Sequence, residues 1–122
     1  MMNLRKNGPV VAATTFTFLF VIVLMWAFLT PIDQLPSGPD ISDYFWHIAI
    51  FAILVLPMST TLPSQSLMIA AVAIVFGTLI EFVQPHFGRG FEVHDLFSNT
   101  LGVGIGWLIA KKLAGLKQRE FK

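Results

Sequence analysis

Four long apolar stretches alternate with short polar ones along the chain. Val10 to Leu29, VVAATTFTFLFVIVLMWAFL, carries no charge. At about 1.5 Å rise per residue, a helix of this length crosses the roughly 30 Å hydrocarbon layer of a bilayer. Pro9 suits a first helical position and Pro31 closes the run, which predicts a helix over about residues 10–30. The second stretch, DYFWHIAIFAILVLPMSTT, predicts a helix over 43–61, with Pro57 placed to kink it or fray its end. The third, SLMIAAVAIVFGTLIEFVQ, predicts 66–84 and stops before Pro85. The fourth, VHDLFSNTLGVGIGWLIAKKL, predicts 93–113. The connections are short, so neighbouring helices are expected to be antiparallel. The proline- and glycine-rich Pro31–Ser42 stretch predicts an irregular loop. No internal repeat or soluble module interrupts the pattern, so residues 1–122 read as one domain.

Composition turns these helices into membrane spans. Of the 122 residues, 55% are hydrophobic and 12% charged, about half the charge of an ordinary soluble domain. Arg5 and Lys6 before the first run also suit a signal peptide. That run is too long, however, and no Ala-x-Ala site follows, so it reads as a retained helix. The absence of cysteine excludes disulfides, thiolate metal sites and a cysteine nucleophile. A net charge of +1 gives no basis for nucleic-acid binding.

Charge also orients the helices. Arg5 and Lys6 precede the first run, Lys111, Lys112, Lys117, Arg119 and Lys122 lie at or after the end of the fourth, and Arg89 alone lies elsewhere. Basic residues concentrate on the cytoplasmic side, so both termini are expected there, which requires an even number of spans. The expected fold is an all-α, four-helix transmembrane bundle with both termini cytoplasmic. Asp33, Asp40, Asp43, Glu81, Glu92 and Asp95 then fall in the outer half, with Glu120 inside. Trp26, Tyr44 and Trp46 suit the outer interfacial belt, and Trp107 lies nearer the inner side.

Polar chemistry gathers in EFVQPHFGRGFEVHDLFSNTLG, Glu81 to Gly102. On the fourth helix Glu92, Asp95, Asn99, Gly102 and Gly106 are spaced 3, 4, 3 and 4, which makes one stripe. Asp43 and His47 stand one turn apart on the second helix, and Glu81 and Gln84 share a face of the third. The residues therefore converge on the outer side of the bundle.

This order of residues resembles the VanZ-like family of small bacterial membrane proteins, named after a component of glycopeptide (teicoplanin) resistance. The matching positions are Asp43 and His47, Glu81 and Gln84, Arg89, then Asp95, Asn99 and Gly102, in a match running from Asp43 to Gly106. Tyr44 stands where that family commonly has a lysine. The resemblance implies a multi-pass protein of the bacterial cytoplasmic membrane with a role in the cell envelope. It supplies no reaction.

Each residue has a chemical and a structural reading. A carboxylate at the depth of Glu81 costs about 2.5–3.5 kcal/mol on insertion scales and needs a partner, so it either serves a ligand or pairs with Arg89 or Asn99. Arg89, between two glycines, either grips an anionic headgroup or neutralises Glu81, Asp95 or Glu92. Asp40, Asp43, Glu92 and Asp95 also suit helix N-termini. Gly102 and Gly106 read as close helix packing, with Gly77 on the third helix as their expected neighbour.

Together these readings predict a pocket opening outward, in which Asp43, His47, Glu81, Gln84, Arg89, Asp95 and Asn99 bind an anionic or lipid-linked ligand. Glu81, Asp95 and His47 are the acid–base candidates if the protein is an enzyme. A non-catalytic subunit or assembly factor, its cluster only locking the fold, is the other alternative. His47, His86, His94, Glu81 and Asp95 are zinc-type ligands, but no His-Glu-x-x-His or similar spacing joins them, so no metal and no other cofactor is expected. Ser98 lacks a nucleophile-elbow context. The bilayer and a lipid-linked envelope ligand are the expected partners.

Overall fold

The long apolar runs fold as helices, and the glycine- and proline-bearing joints between them form short turns. A computed structural model describes residues 4–35 and 43–120. Its helices are α1 (Leu4–Leu29), α2 (Asp43–Thr61), α3 (Ser66–Val83) and α4 (Val93–Glu120). Single 3-10 turns occupy Ile32–Gln34, Pro63–Gln65 and Gln84–Phe87, and the described residues include no strand. The prediction that Asp40 caps a helix, and most of the predicted irregular loop, lie outside the described residues.

Two helices exceed their predicted bounds. α1 begins at Leu4 rather than near Val10, which puts Pro9 in its second turn. So close to a helix start, proline removes only one amide-to-carbonyl bond. α4 runs past Leu113 to Glu120, with Lys117 and Arg119 in a last turn whose exposed carbonyls favour cations. α2 continues through Pro57, and the hydroxyls of Thr60 and Thr61 donate to the Leu56 and Pro57 carbonyls. α3 stops at Val83, and Gly88, in the left-handed region at φ 76°, ends the following turn.

α2 is the hub, packing most extensively on α4 and less on α1 and α3. Its Phe51, Leu54 and Val55 meet Leu24 and Phe28 of α1, Ile80 of α3 and Val103 of α4 in the core. α4 lies directly on the α2 backbone. A Cβ at Gly102 would collide with the Ile48 carbonyl, and one at Gly106 would sit 2.5 Å from the Ala52 carbonyl oxygen. The neighbour of these two glycines is therefore α2, not Gly77 of α3 as expected. Gly77 instead makes room for the Phe51 ring and the Asn99 side chain.

The bundle has two distinct ends. Pro9 and Ala13 of α1, Leu56 and Thr60 of α2 and Leu113 of α4 line one apolar groove, so the start of α1 and the later part of α4 share an end. There Trp107 donates to the Ser66 hydroxyl at 3.1 Å and carries Lys111 over its ring. The α3–α4 loop lies at the opposite end.

α1, α2 and a segment spanning α3 and its flanking turns are long and apolar enough to cross a membrane. α4 does not meet that measure of composition. Its average is lowered by the exposed Lys111, Lys112, Lys117 and Arg119 and by a face that buries Asp95, Ser98 and Asn99. Its other face exposes Phe97, Leu101 and Leu108, in keeping with the exposed Phe18 and Leu19 of α1 and Leu67 and Leu79 of α3. An outer surface this apolar over several helices suits hydrocarbon better than water.

Candidate functional site

Four polar side chains meet one turn inside the loop end. His47 comes from the second turn of α2, Glu81 from the last turn of α3, and Asp95 and Asn99 from the first two turns of α4. Helical spacing aims Asp95 and Asn99 the same way, and the glycine contact at Gly102 brings that face onto α2.

His47 Nδ1 lies 2.7 Å from Asn99 Oδ1. An amide oxygen can only accept, so Nδ1 carries the hydrogen and donates it. The other ring nitrogen, Nε2, then faces Asp95 Oδ2 at 3.6 Å. Ligand atoms of His47, Glu81 and Asp95 all lie within 4.8 Å of one another. Phe28 stacks on the His47 ring at 5.2 Å between centroids, and Phe51 packs against Phe28.

The cluster is sealed, which corrects the expected outward-opening pocket. Relative exposure is 0% for Glu81, 2% for Gln84 and Asn99, 6% for His47 and 9% for Asp95. Phe28, near the end of α1, covers its His47 side. Among the described residues, neither carboxylate oxygen of Glu81 has a hydrogen-bond partner, nor does Asp95 Oδ1 or the Asn99 Nδ2 group. The Glu92 amide approaches Glu81 without reaching hydrogen-bond geometry.

Arg89 and Gln84 make contacts that the sequence reading does not include. Arg89 donates to the carbonyls of Ala27 at 3.2 Å and Thr30 at 3.0 Å, and Gln84 Nε2 donates to the Phe28 carbonyl at 3.1 Å. These are carbonyls at the C-terminal end of α1, which have no partner within their own helix. Among the described residues Arg89 forms no ion pair with Glu81, Asp95 or Glu92. Gly88 on its N-terminal side takes the positive φ, whereas Gly90 does not.

Asp43 remains exposed in the first turn of α2 and makes no hydrogen bond to the cluster. Glu92 is exposed and precedes α4, so the buried stripe starts at Asp95. His86 and His94 are exposed, and the His94 ring packs on Tyr44. Two features escape a reading of the sequence. One is the aromatic cover from Phe28, for which the sequence carries no signal. The other is the set of α1 carbonyls as partners of Gln84 and Arg89. The unpaired end of α1 before Pro31 is the available sign of that second feature.

No curated protein and no solved structure matches the chain. The family profile described as VanZ/LLP1 matches residues 8–115, which takes in α2 and α3 whole, most of α1 and α4, and every member of the buried cluster. By that match the chain belongs to the VanZ/LLP1 family, and with its apolar helices it is a membrane protein.

Proposed function

We propose that this chain is a multi-pass protein of the bacterial cytoplasmic membrane. All four helices cross the bilayer, both termini are cytoplasmic, and the buried cluster lies toward the extracytoplasmic face. There it takes up the headgroup of a lipid-linked or amphipathic ligand of the cell envelope. The observation that carries the reading is Glu81, wholly buried with both oxygens unpartnered among the described residues. A polar group that merely locks a fold is normally satisfied, because each orphaned buried acceptor costs about 1–3 kcal/mol. An uncompensated acceptor beside His47 and Asp95 is better explained by something that the site receives.

Arg89 is the only Lys or Arg toward this end, and it already holds α1. Recognition therefore falls to Glu81, His47, Asp95 and Asn99, with Gln84 and Arg89 positioning the helix that covers them. Two carboxylates attract hydroxyl or amine donors directly, and a bare anion only through a further cation. An acid–base enzyme is the second reading, favoured by His47. Asn99 fixes the tautomer of its ring and Asp95 stands beside its free nitrogen.

Glu81→Gln and Asp95→Asn test the proposal, with folded protein extracted in detergent and envelope-antibiotic susceptibility measured for each. The variants are expected to reach the membrane in normal amount and to lose the envelope phenotype. Their disappearance from the membrane would show that the cluster is a structural lock. Full activity in both would remove the site from function altogether.

A further inference from the structure

In the buried cluster, an imidazole nitrogen and two carboxyl groups that can all bind a cation face one another. Because His47 Nδ1–H is spent on Asn99 Oδ1, Nε2 is the nitrogen turned toward Asp95 Oδ2, at 3.6 Å. Glu81 brings two oxygens without partners from a side chain that is 0% exposed, and Asp95 Oδ1 also lacks one. One ligand atom from each of the three residues lies within 4.8 Å of the other two. Two carboxylates out of water must either take up protons or gather positive charge at their centre. A proton on Nε2 supplies one charge, at a distance too long for a good hydrogen bond to Asp95, and leaves Glu81 without a partner. A divalent cation supplies both charges and contacts all three groups.

We propose that His47 Nε2, Glu81 and Asp95 bind a single divalent transition-metal ion of the zinc type. The donor set favours that class. An imidazole nitrogen argues against magnesium and calcium, and the absence of sulfur argues against soft ions. Ligands about 2.0–2.1 Å from a tetrahedral ion stand about 3.4 Å apart, close to the existing His47–Asp95 separation. The Glu81 carboxylate closes the remaining gap. Asn99 plays the part usual behind a metal-bound histidine, accepting the far ring N–H and fixing which nitrogen is free. Three protein ligands leave a fourth position open, the arrangement of sites that receive water or a substrate group. Such an ion also places positive charge in direct contact with the carboxylates, which Arg89, hydrogen-bonded to the end of α1, does not.

Each ligand comes from a different helix, so no local sequence spacing marks the set. The expectation of no metal rests on such spacing. It also counts His86 and His94, which are exposed and lie outside the cluster.

The test uses the full chain purified in detergent, stripped with a chelator and titrated with zinc chloride against a chromophoric competitor. Wild type is expected to bind one zinc per chain. Asn99→Ala, which removes only the acceptor behind His47, is expected to weaken binding by roughly 10–100-fold. Glu81→Gln and His47→Gln are expected to lose more than that, while His86→Gln and His94→Gln match wild type. Cobalt(II) replacing zinc in wild type is expected to give the visible bands of a low-coordinate nitrogen–oxygen site, a reading that does not depend on any variant folding. Wild type that is folded by circular dichroism yet takes up no stoichiometric zinc overturns the proposal. So does binding that follows His86 or His94 and ignores folded Glu81→Gln. The readout is metal uptake alone, so it separates this inference from the ligand proposal, which is tested by susceptibility.

Discussion

At the scale of single residues, the polar side chains of the loop end divide into two groups with different tasks. His47, Glu81, Asp95 and Asn99 form the buried cluster, whereas Gln84 and Arg89 tie the end of α1 to the turn after α3. A guanidinium on helix C-terminal carbonyls gains from both the hydrogen bonds and the helix dipole. Hydrogen bonds to a charged group are worth about 1.5–3 kcal/mol, so Arg89→Leu is expected to destabilise the protein by about that amount. Arg89→Lys keeps the charge and loses the planar fork, and its loss should be partial. Thermal unfolding in detergent checks this, with Arg89→Leu lowering Tm and Arg89→Lys falling between it and wild type. If Arg89→Leu unfolds like wild type but loses the envelope phenotype, Arg89 is a ligand contact and its bonds to α1 are incidental.

At the scale of elements, α4 shows what periodicity reveals and what it hides. The 3-4 spacing of Asp95, Asn99, Gly102 and Gly106 is enough to mark one face of the helix, and that face is buried. Spacing names a face but not its neighbour, which is why it points to α3 where α2 is found. The glycines of α4 also differ among themselves. Gly102 and Gly106 lie on the α2 backbone, which cannot rotate aside as a side chain can, while nothing lies within 4 Å of a Cβ on Gly104. Gly102→Ala must push the two helices apart and is expected to cost about 1–3 kcal/mol or more. Gly104→Ala meets open space and removes helix-interior glycine, so it should be neutral or gain up to about 1 kcal/mol. Comparing the detergent melting curves of the two variants decides the matter. Equal stability for the pair would mean that α4 does not sit on the α2 backbone.

At the scale of the whole molecule, the helices and their order are legible in the sequence because apolar length and proline punctuation are local signals. The cluster is legible in part, since His47, Glu81, Asp95 and Asn99 each lie on a readable helix face. Its sealed state and its three-helix ligand set are not, because both arise from how helices meet. The side of the membrane on which the cluster lies turns on α4. If only the three plainly apolar helices cross, the C-terminus ends opposite the N-terminus. If α4 crosses too, with Phe97, Leu101 and Leu108 toward lipid and its polar face inward, both ends share the cytoplasmic side, as the shared groove of Pro9 and Leu113 favours. The chain has no cysteine, so single introduced cysteines report topology without background. Gln34, Gln65, Phe87 and Gln118 are exposed positions at alternate ends of the bundle. With a membrane-impermeant maleimide, Gln34→Cys and Phe87→Cys are expected to label in intact spheroplasts, and Gln65→Cys and Gln118→Cys only after permeabilisation. Labelling of Gln118→Cys from outside would take α4 out of the bilayer. Labelling of Gln65→Cys and Gln118→Cys together, with Gln34→Cys and Phe87→Cys protected, would keep four spans but turn the molecule over and put the cluster on the cytoplasmic side.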